Sequence, residues 1–205
     1  ISLFRPATDN DNRDRMGAKL WRKAGLHTLT QKVVSLKESK TSATAQVNIL
    51  NVTGKKVGDA TLEYTLNHNG SLKVQTTFQP DTTWVKSIAR LGLTFEMNDT
   101  YGNVTYLGRG EHETYIDRNQ SGKIGIYTTT PEKMFHYYVI PQSTGNRTEV
   151  RWVKLADDSG KGCWIESDSP CQFSARPFDH LLLEKPIHIN DLHRNGRITV
   201  LLDLC

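Results

Sequence analysis

With 205 residues, the chain is long enough to bury most of its unfolded surface in one core, and all-β domains of this size are common. Its net charge of +4 comes from interspersed acids and bases, without the basic runs or basic-aromatic interleaving of a nucleic-acid-binding surface. No apolar run approaches the roughly 18 residues of a membrane span, and no signal peptide is recognisable.

The cysteines and the chain start bear on redox state and on completeness. Cys163, Cys171 and Cys205 are an odd number without ligand-like C-x-x-C spacing. We expect reduced, partly buried thiols; the alternative is that Cys163 and Cys171 face each other across a hairpin. Because the chain lacks an initiator Met and begins inside an apolar run, we expect residues 1–205 to be one domain, excised from a longer polypeptide and truncated at its C-terminus.

The most unusual local feature is the polar segment RPATDND at residues 5–11. Pro removes a backbone donor, and Thr, Asp and Asn side chains bond to nearby backbone, so an irregular loop is expected. Asp9 is placed to cap backbone donors ahead of a helix. The oxygen-rich stretch also offers hard cation ligands, but Arg13 and Arg15 stand where a cation would bind. We therefore predict no metal site.

One helix is predicted directly after this loop, over residues 13–24. Leu20, Trp21 and Ala24 fall on one side of it, and Gly25 supplies the residue type that ends helices.

The rest of the chain shows the two-residue periodicity of strands. Val47 and Ile49 indicate a strand that ends near Gly54, and Leu62 to Phe78 alternate on either side of Asn69-Gly70, which predicts a tight hairpin. A second hairpin is predicted at residues 150–165, around the turn at 157–160.

The last predicted strand, residues 197–204, is nearly all apolar and should be buried on both faces. Because no further strand follows it, we expect it to be an exposed sheet edge whose natural neighbour is missing. Short strands separated by regular turn signals predict an all-β fold, an antiparallel β-sandwich or barrel, with a single short N-terminal helix.

Four motifs, in order, resemble one protein family. Residues 5–11 resemble the R-x-P-x-D-N-D signature that opens the C-terminal small-chain domain of bacterial β-galactosidases of the lactose-operon type, with Pro and Ala transposed. Residues 21–25 (WRKAG) are similar to the W-x-x-A-G that follows it. The third motif, residues 108–118 (GRGEHETYIDR), resembles G-x-G-P-x-E-x-Y-x-D-R. The fourth motif, residues 137–147 (YYVIPQSTGNR), resembles Y-V-x-P-Q-E-x-G-x-R.

The resemblance implies a galactose mutarotase-like supersandwich in a glycoside hydrolase family 2 β-galactosidase. In that family the catalytic acid and nucleophile lie in a separate (β/α) barrel, and the loop after D-N-D moves over the active site. A second sugar-facing residue of the family would lie beyond Cys205. By carry-over, substrate or lid contacts fall on Asn10, Asp11, Asn12, Arg13 and Asp14, in a loop that runs on to Gly17.

The third motif is expected to be structural, through Glu111, Glu113, Tyr115, Asp117 and Arg118. Retaining glycosidases need two carboxylates about 5–5.5 Å apart across the scissile bond. On a strand, Glu111 and Glu113 would stand side by side roughly 7 Å apart and point the same way. We therefore predict no catalytic residue here. Either Asp117 or Glu113 is expected to pair with Arg118.

Two further features bear on carbohydrate chemistry. Trp21, Trp84, Trp152, Trp164 and the adjacent tyrosines 137 and 138 could form sugar platforms, although large aromatics usually belong to cores or interfaces. Seven histidines suit proton transfer, and one of them, at position 112, interrupts the third motif, but none matches a mutarotase pattern.

The sequence therefore predicts a non-catalytic domain of a β-galactosidase that hydrolyses terminal β-D-galactosides, completing the active-site wall and lid. The alternative is a free-standing carbohydrate-binding or mutarotase-like module. Expected partners are the barrel domain of the same polypeptide, a galactoside substrate and further copies in a homo-oligomer, without nucleic acid or membrane. No cofactor is expected in this chain; Mg²⁺ and Na⁺ are expected in the parent enzyme, in a bacterial cytoplasm or periplasm.

Overall fold

The computed structural model describes residues 1–13, 17–184 and 188–203. The chain forms two compact units. The first consists of Asp11–Ala89 with Ile1 and Leu3, and the second of Phe4–Asn10, Ser2 and the described residues from Arg90 onward. Each unit contains one antiparallel sheet, which confirms the predicted all-β class. The expectation of a single domain over residues 1–205 stays a prediction.

The first unit contains a four-stranded meander of β1 (Thr30–Glu38), β2 (Ser42–Leu50), β3 (Lys56–Leu66) and β4 (Leu72–Pro80). The predicted β3–β4 hairpin is confirmed, with Leu66 opposite Leu72. Gly70 in its turn has φ 82°, a left-handed conformation that Gly adopts without steric cost. Gly54, with φ 78°, lies in the predicted turn between β2 and β3.

One face of this meander is apolar at its far end. The strand register places Leu36, Leu66, Leu72 and Val74 on the same face, and these side chains are between 38% and 59% exposed. Alternation along β4 puts Lys73 on the opposite face. We refer to the four exposed side chains as the apolar sheet face.

The second unit contains a six-stranded antiparallel sheet, whose order is β5 (Gly92–Asn98), β10 (Arg197–Asp203), β9 (Gly162–Arg176), β8 (Arg147–Ala156), β6 (Asn103–Gly110) and β7 (Lys123–Thr129). The predicted β8–β9 hairpin is confirmed, and Gly160 in its turn has φ 83°.

Strand β10 is the buried apolar strand that the sequence predicts, but the prediction that it forms an exposed edge is wrong. It lies between β5 and β9, and Val200 is opposite both Phe95 and Ala175. Residues 198–202 are all buried. Both neighbours come from earlier parts of the chain, so the absence of a later strand does not leave β10 unpaired. Leu204, the last residue of the predicted strand, lies outside the described residues.

The two faces of the six-stranded sheet differ in character. One face carries the apolar core, which includes Tyr106, Val150, Phe173 and Val200. Because side chains alternate along a strand, the other face of β5, β10 and β9 carries a polar layer. We refer to Thr94, Ser174, Arg176, Thr199 and Asp203 as the polar layer; the register also places the buried Leu201 and the exposed Glu96 on this face.

The described residues contain two α-helices rather than the one predicted. Helix α1 (Ala18–Lys23) is shorter than expected over the described residues, and Gly25 follows it with φ 72°, as its helix-ending role requires. Helix α2 (Pro131–Met134) is too short to show a helical period. Its only sequence signal is Thr130-Pro131, a capping side chain followed by Pro at the first turn.

In the part of the chain that the structure describes, no helix has both the length and the apolar character needed to cross a membrane.

Candidate functional site

Two residues of the N-terminal polar segment, Ala7 and Asp9, bond to distant residues within the second unit. The Ala7 N–H donates to the Glu184 carboxylate at 2.8 Å. Asp9 and Gln142 bond reciprocally: the Asp9 N–H donates to the Gln142 amide oxygen, and the Gln142 amide donates to the Asp9 carboxylate, both at 3.2 Å. This pair anchors the chain immediately before the candidate lid residues.

The capping role expected for Asp9 is wrong. Helix α1 has Gly17 at its N-cap and no side-chain cap. The carboxylate of Asp9 is instead engaged by Gln142, 133 residues away in sequence. The Thr-Asp pattern predicts a helix cap, but in the structure Asp9 forms a long-range contact instead.

The candidate lid residues form an exposed polar turn. Asn10, Asn12 and Arg13 are exposed, and Asp11 is half-buried. The Asn12 side-chain oxygen accepts a hydrogen bond from Arg22 of α1 at 2.8 Å, which ties the turn to the helix that follows. Asp14 lies outside the described residues. The structure thus presents three of these side chains to solvent.

Glu113 is the most heavily engaged carboxylate in the third motif. One oxygen accepts hydrogen bonds from Arg118 at 2.5 Å and from the Tyr138 hydroxyl at 3.0 Å, and the other accepts the Gly145 N–H at 2.8 Å. Of the two ion pairs that the sequence left open, the structure has Glu113–Arg118, while Asp117 is exposed.

The charge state of Glu113 follows from these contacts. Partial burial raises the pKa of this carboxyl, but the Gly145 N–H, Arg118 and Tyr138 outweigh burial and lower the pKa below its ordinary value. Glu113 is therefore ionised near neutral pH, and its oxygens are occupied by structural donors.

The other members of the third motif lie in a loop. Strand β6 ends at Gly110, so the assumption that Glu111 and Glu113 share a strand face is wrong. Glu111 is exposed, and its backbone carbonyl accepts from Arg147 at 2.9 Å. The Tyr115 hydroxyl donates to the Ser143 carbonyl at 3.3 Å, and burial raises the pKa of that hydroxyl.

Arg147, at the end of the fourth motif, organises the same junction. It is 3% exposed, and its guanidinium donates to the Tyr106 hydroxyl at 2.9 Å and to the Gly145 carbonyl at 3.1 Å, as well as to Glu111. A planar guanidinium has donors in several fixed directions, which suits a buried position surrounded by carbonyls. The third and fourth motifs therefore form one hydrogen-bonded junction.

The aromatic side chains separate into buried and exposed groups. Trp21 is buried and donates to the Ser87 hydroxyl at 3.0 Å. Trp152 and Trp164 are stacked at 4.3 Å with an interplanar angle of 21°, and Trp164 is 52% exposed. Trp164 also donates to the Glu166 carboxylate at 2.7 Å. Trp164 is the exposed one of the four tryptophans; Tyr137 is 57% exposed and packs edge-on against Phe135.

Other candidate groups are dispersed. Cys163 and Cys171 lie on the same strand, β9, and not on opposite strands of a hairpin, so the alternative of a pairing across a hairpin is wrong. The exposed His112 ring bonds with the Ser121 hydroxyl at 2.9 Å. Within residues 1–13, 17–184 and 188–203, no group of three His, Cys, Asp or Glu side chains is placed to hold a metal ion.

Sequence reasoning missed a buried charged cluster on the polar layer. Arg90 forms an ion pair with Asp203, and Arg176 and His180 are buried nearby. The sequence signal for this cluster is Asp203, a carboxylate at the end of the otherwise apolar strand β10. A buried charge requires a partner, so Asp203 implies a nearby cation. Nothing local identified that partner.

Comparison with known proteins places the chain among β-galactosidases. A family model described as beta galactosidase small chain matches residues 1–205. The chain is similar to a beta-galactosidase of Priestia megaterium, 29% identical over 206 residues, 97% of this chain and 19% of that protein. A beta-galactosidase of Bifidobacterium adolescentis is 28% identical over 94% of this chain and 19% of that protein, and one of Kluyveromyces lactis is 28% identical over 99% and 20%. The chain spans about a fifth of the length of these relatives.

Proposed function

The chain belongs to the β-galactosidase small-chain family, and on that premise we propose that it is the non-catalytic small-chain region of a glycoside hydrolase family 2 enzyme. In this proposal the parent polypeptide hydrolyses terminal β-D-galactosides with retention, using an acid and a nucleophile held in another domain. This region completes one wall and the lid of the active site. The observation that carries the proposal is the engagement of Glu113 by three structural donors.

A retaining glycosidase requires two carboxylates about 5–5.5 Å apart, one able to attack and one able to transfer a proton. Glu113 is occupied by its own loop, and Glu111 is exposed and contributes its backbone carbonyl to Arg147. This arrangement supports a structural role for both residues. Catalytic carboxylates from outside this chain are therefore part of the proposal.

The lid role is supported by an anchored residue, Asp9, followed by exposed polar residues of the loop. Asp9 is anchored by Gln142, and Asn10, Asn12 and Arg13 after it are exposed and polar, with Asn12 bonded to Arg22 of α1. Closing loops commonly orient substrate and exclude water. Amide and guanidinium groups in such a loop can bond to sugar hydroxyls.

Packing against the rest of the polypeptide is the second part of the role. On the apolar sheet face, Leu66, Leu72 and Val74 are exposed on adjacent strands, and Leu36 is exposed on β1. Exposed apolar patches mark interaction surfaces. We infer that this face is covered by another domain of the same polypeptide. Homo-oligomer formation belongs to the same proposal.

The metal ions and the origin of the parent enzyme are also proposals. We propose that the parent enzyme binds Mg²⁺ and Na⁺. We take the enzyme to be bacterial; the similar proteins come from bacteria and from a yeast.

A second candidate function is a free-standing carbohydrate-binding or mutarotase-like module. The observation that favours it is Trp164, a half-exposed indole stacked on Trp152 beside the Glu166 carboxylate. Titration of the 205-residue chain with galactose, followed by tryptophan fluorescence, distinguishes the two. Saturable binding that Trp164→Ala abolishes supports the module, and an unchanged spectrum supports the small-chain role.

The lid role is tested in the full-length polypeptide with Asn12→Ala and Arg13→Ala. Each should lower kcat/KM for lactose by about one to two decades, because losing one or two hydrogen bonds to sugar hydroxyls costs roughly 1–3 kcal/mol. Lys19→Ala, an exposed change on α1, is the matched control and should leave kcat/KM unchanged. Wild-type kcat/KM in both lid variants would reject the lid role.

The non-catalytic role has its own test. The 205-residue chain should not hydrolyse a nitrophenyl galactoside. Turnover that disappears on Glu113→Gln would show that the chemistry is local and would overturn the proposal.

A further inference from the structure

The polar layer of the second unit contains a buried cation that is only partly satisfied. Arg176 is 2% exposed, and its Nη2 donates to the Thr144 carbonyl at 2.7 Å and the Ser143 hydroxyl at 3.2 Å. Among the described residues, its Nε and Nη1 have no hydrogen-bond partner. These two nitrogens carry three of the five guanidinium protons, and leaving buried donors unpaired is costly.

Further orphaned polar atoms belong to the same layer. Thr199 is directly opposite Arg176 in the β9–β10 register, and its buried hydroxyl has no partner in the described ranges. The same holds for the hydroxyl of Thr94 on β5 and for Nε of Arg90. Nδ1 of His180 has no hydrogen bond in these ranges either, although the Asp179 carboxylate lies 3.5 Å from it. Several unsatisfied donors on one buried face indicate an occupant that can accept their hydrogen bonds, such as water or an ion.

Charge distinguishes between these two occupants. The Asp179 carboxylate, 46% exposed, lies 3.5 Å from Nδ1 of His180. The more buried carboxylate is that of Asp203, and it is paired with Arg90. That pair is neutral, which leaves Arg176 as an additional positive charge. Burial lowers the pKa of Arg176 to about 10; Arg90 and Arg5 reinforce this effect, and Tyr115 and Asp203 oppose it, so Arg176 remains cationic at neutral pH.

The neighbouring histidine supplies no compensating charge. Burial, together with Arg176 and Arg90, lowers the pKa of His180 to about 3, so its ring is neutral. Water would satisfy the orphaned donors but would leave the buried charge uncompensated, and an unpaired buried charge is far more costly than a paired one.

We propose that this cluster is a binding site for a small inorganic anion of chloride size, with Nε and Nη1 of Arg176 as its principal donors. Thr199 is opposite Arg176 on the adjacent strand, and its hydroxyl is available as a further donor. The size follows from burial: the orphaned atoms are already enclosed by this chain. A carboxylate from another domain or a large oxyanion would have to open the sheet to reach them.

The direct test is crystallography of the full-length polypeptide soaked in bromide, which is read by its anomalous scattering. The expected result is a bromide peak at hydrogen-bonding distance from Arg176 Nε or Nη1. A water network at this position without any anomalous peak would overturn the proposal. A protein carboxylate on Arg176, in place of an ion, would overturn it equally.

A second test measures the thermal midpoint of the same polypeptide as chloride replaces gluconate at constant ionic strength. Ligand binding to the folded state should raise the midpoint with increasing chloride, by a few degrees over a hundredfold range above Kd, on the order expected from mass action. Arg176→Met should abolish both this dependence and the bromide peak. Arg197→Met is the control, since Arg197 is an exposed arginine at the start of β10 and the variant should keep both. If Arg176→Met fails to fold, the wild-type bromide map decides the question.

Discussion

The carboxylate of Glu113 accepts the backbone N–H of Gly145 at 2.8 Å, and this hydrogen bond joins two motifs across 32 residues of sequence. Arg147 crosses the junction in the opposite direction, from the fourth motif to the Glu111 carbonyl. In both contacts a charged side chain recognises a backbone group. The junction therefore depends on the backbone path of each loop as much as on side-chain identity.

Gly145 should be the least replaceable residue of this junction. It has φ 78°, and a Cβ at this position would lie 2.5 Å from the Met134 carbonyl oxygen. Gly70 also has a positive φ, 82°, but a Cβ there would meet open space. Gly70→Ala should cost only the left-handed conformation, about 1–2 kcal/mol, whereas Gly145→Ala should cost clearly more. Amide hydrogen exchange in the full polypeptide measures these costs: exchange in β6 and β8 reports on Gly145→Ala, and exchange in β3 and β4 reports on Gly70→Ala. Equal costs would show that Gly145 is chosen for its φ alone.

Glu113→Gln should destabilise the protein in a pH-dependent way. Burial raises the pKa of Glu113, but its three hydrogen-bond donors lower that pKa by a larger amount. The folded-state pKa therefore lies below the ordinary value of 4.5. The carboxylate therefore contributes stability above that value and loses it as pH falls through the folded-state pKa. The variant should be about 1–3 kcal/mol less stable at pH 7, and the gap from wild type should narrow below about pH 4.

Thermal midpoints from pH 7 down to 3 provide the measurement for this variant. Glu63→Gln, at an exposed position on β3, is the control and should remain close to wild type throughout. A gap between Glu113→Gln and wild type that stays constant with pH would contradict the ionised, donor-saturated state of Glu113.

Asp9 and Gln142 should be energetically coupled. Two hydrogen bonds join them, one from each residue, so either Asp9→Ala or Gln142→Ala breaks the reciprocal arrangement. A double-mutant cycle should give a coupling energy of roughly 0.5–1.5 kcal/mol. A matched cycle between Asp9→Ala and Lys19→Ala should be additive. Additivity in both cycles would mean that the Asp9 carboxylate does not anchor the segment ahead of the lid.

A charge on the apolar sheet face should disturb packing within the full polypeptide. Leu72→Glu places a carboxylate on the exposed apolar face, where burial by another domain would leave it unpaired. Lys73→Glu introduces the same side chain on the opposite, polar face of the same strand. We expect a lower thermal midpoint and faster limited proteolysis for Leu72→Glu only. Identical behaviour of the two variants would indicate that the face remains in solvent.

The elements that could be predicted from sequence are those whose causes are local. Asn69-Gly70 determines the β3–β4 turn because Gly tolerates a positive φ, and the alternation of residues 62–78 then determines which side chains share a face. Gly25 ends α1 for the same conformational reason. In the candidate site, the third and fourth motifs were identifiable as segments, but their junction was not, because a carboxylate such as Glu113 does not reveal which distant N–H it will bind.

Tertiary structure decided the pairings between distant segments. The composition of residues 197–203 determined that β10 would be buried, yet only the assembled sheet placed it between β5 and β9. Asp9 has the local chemistry of a helix cap but bonds to Gln142, and Arg176 is buried beside Thr199 because β9 and β10 pair in one register. Backbone preferences act over a few residues, whereas register, burial and charge pairing depend on which remote segments the compact chain brings into contact.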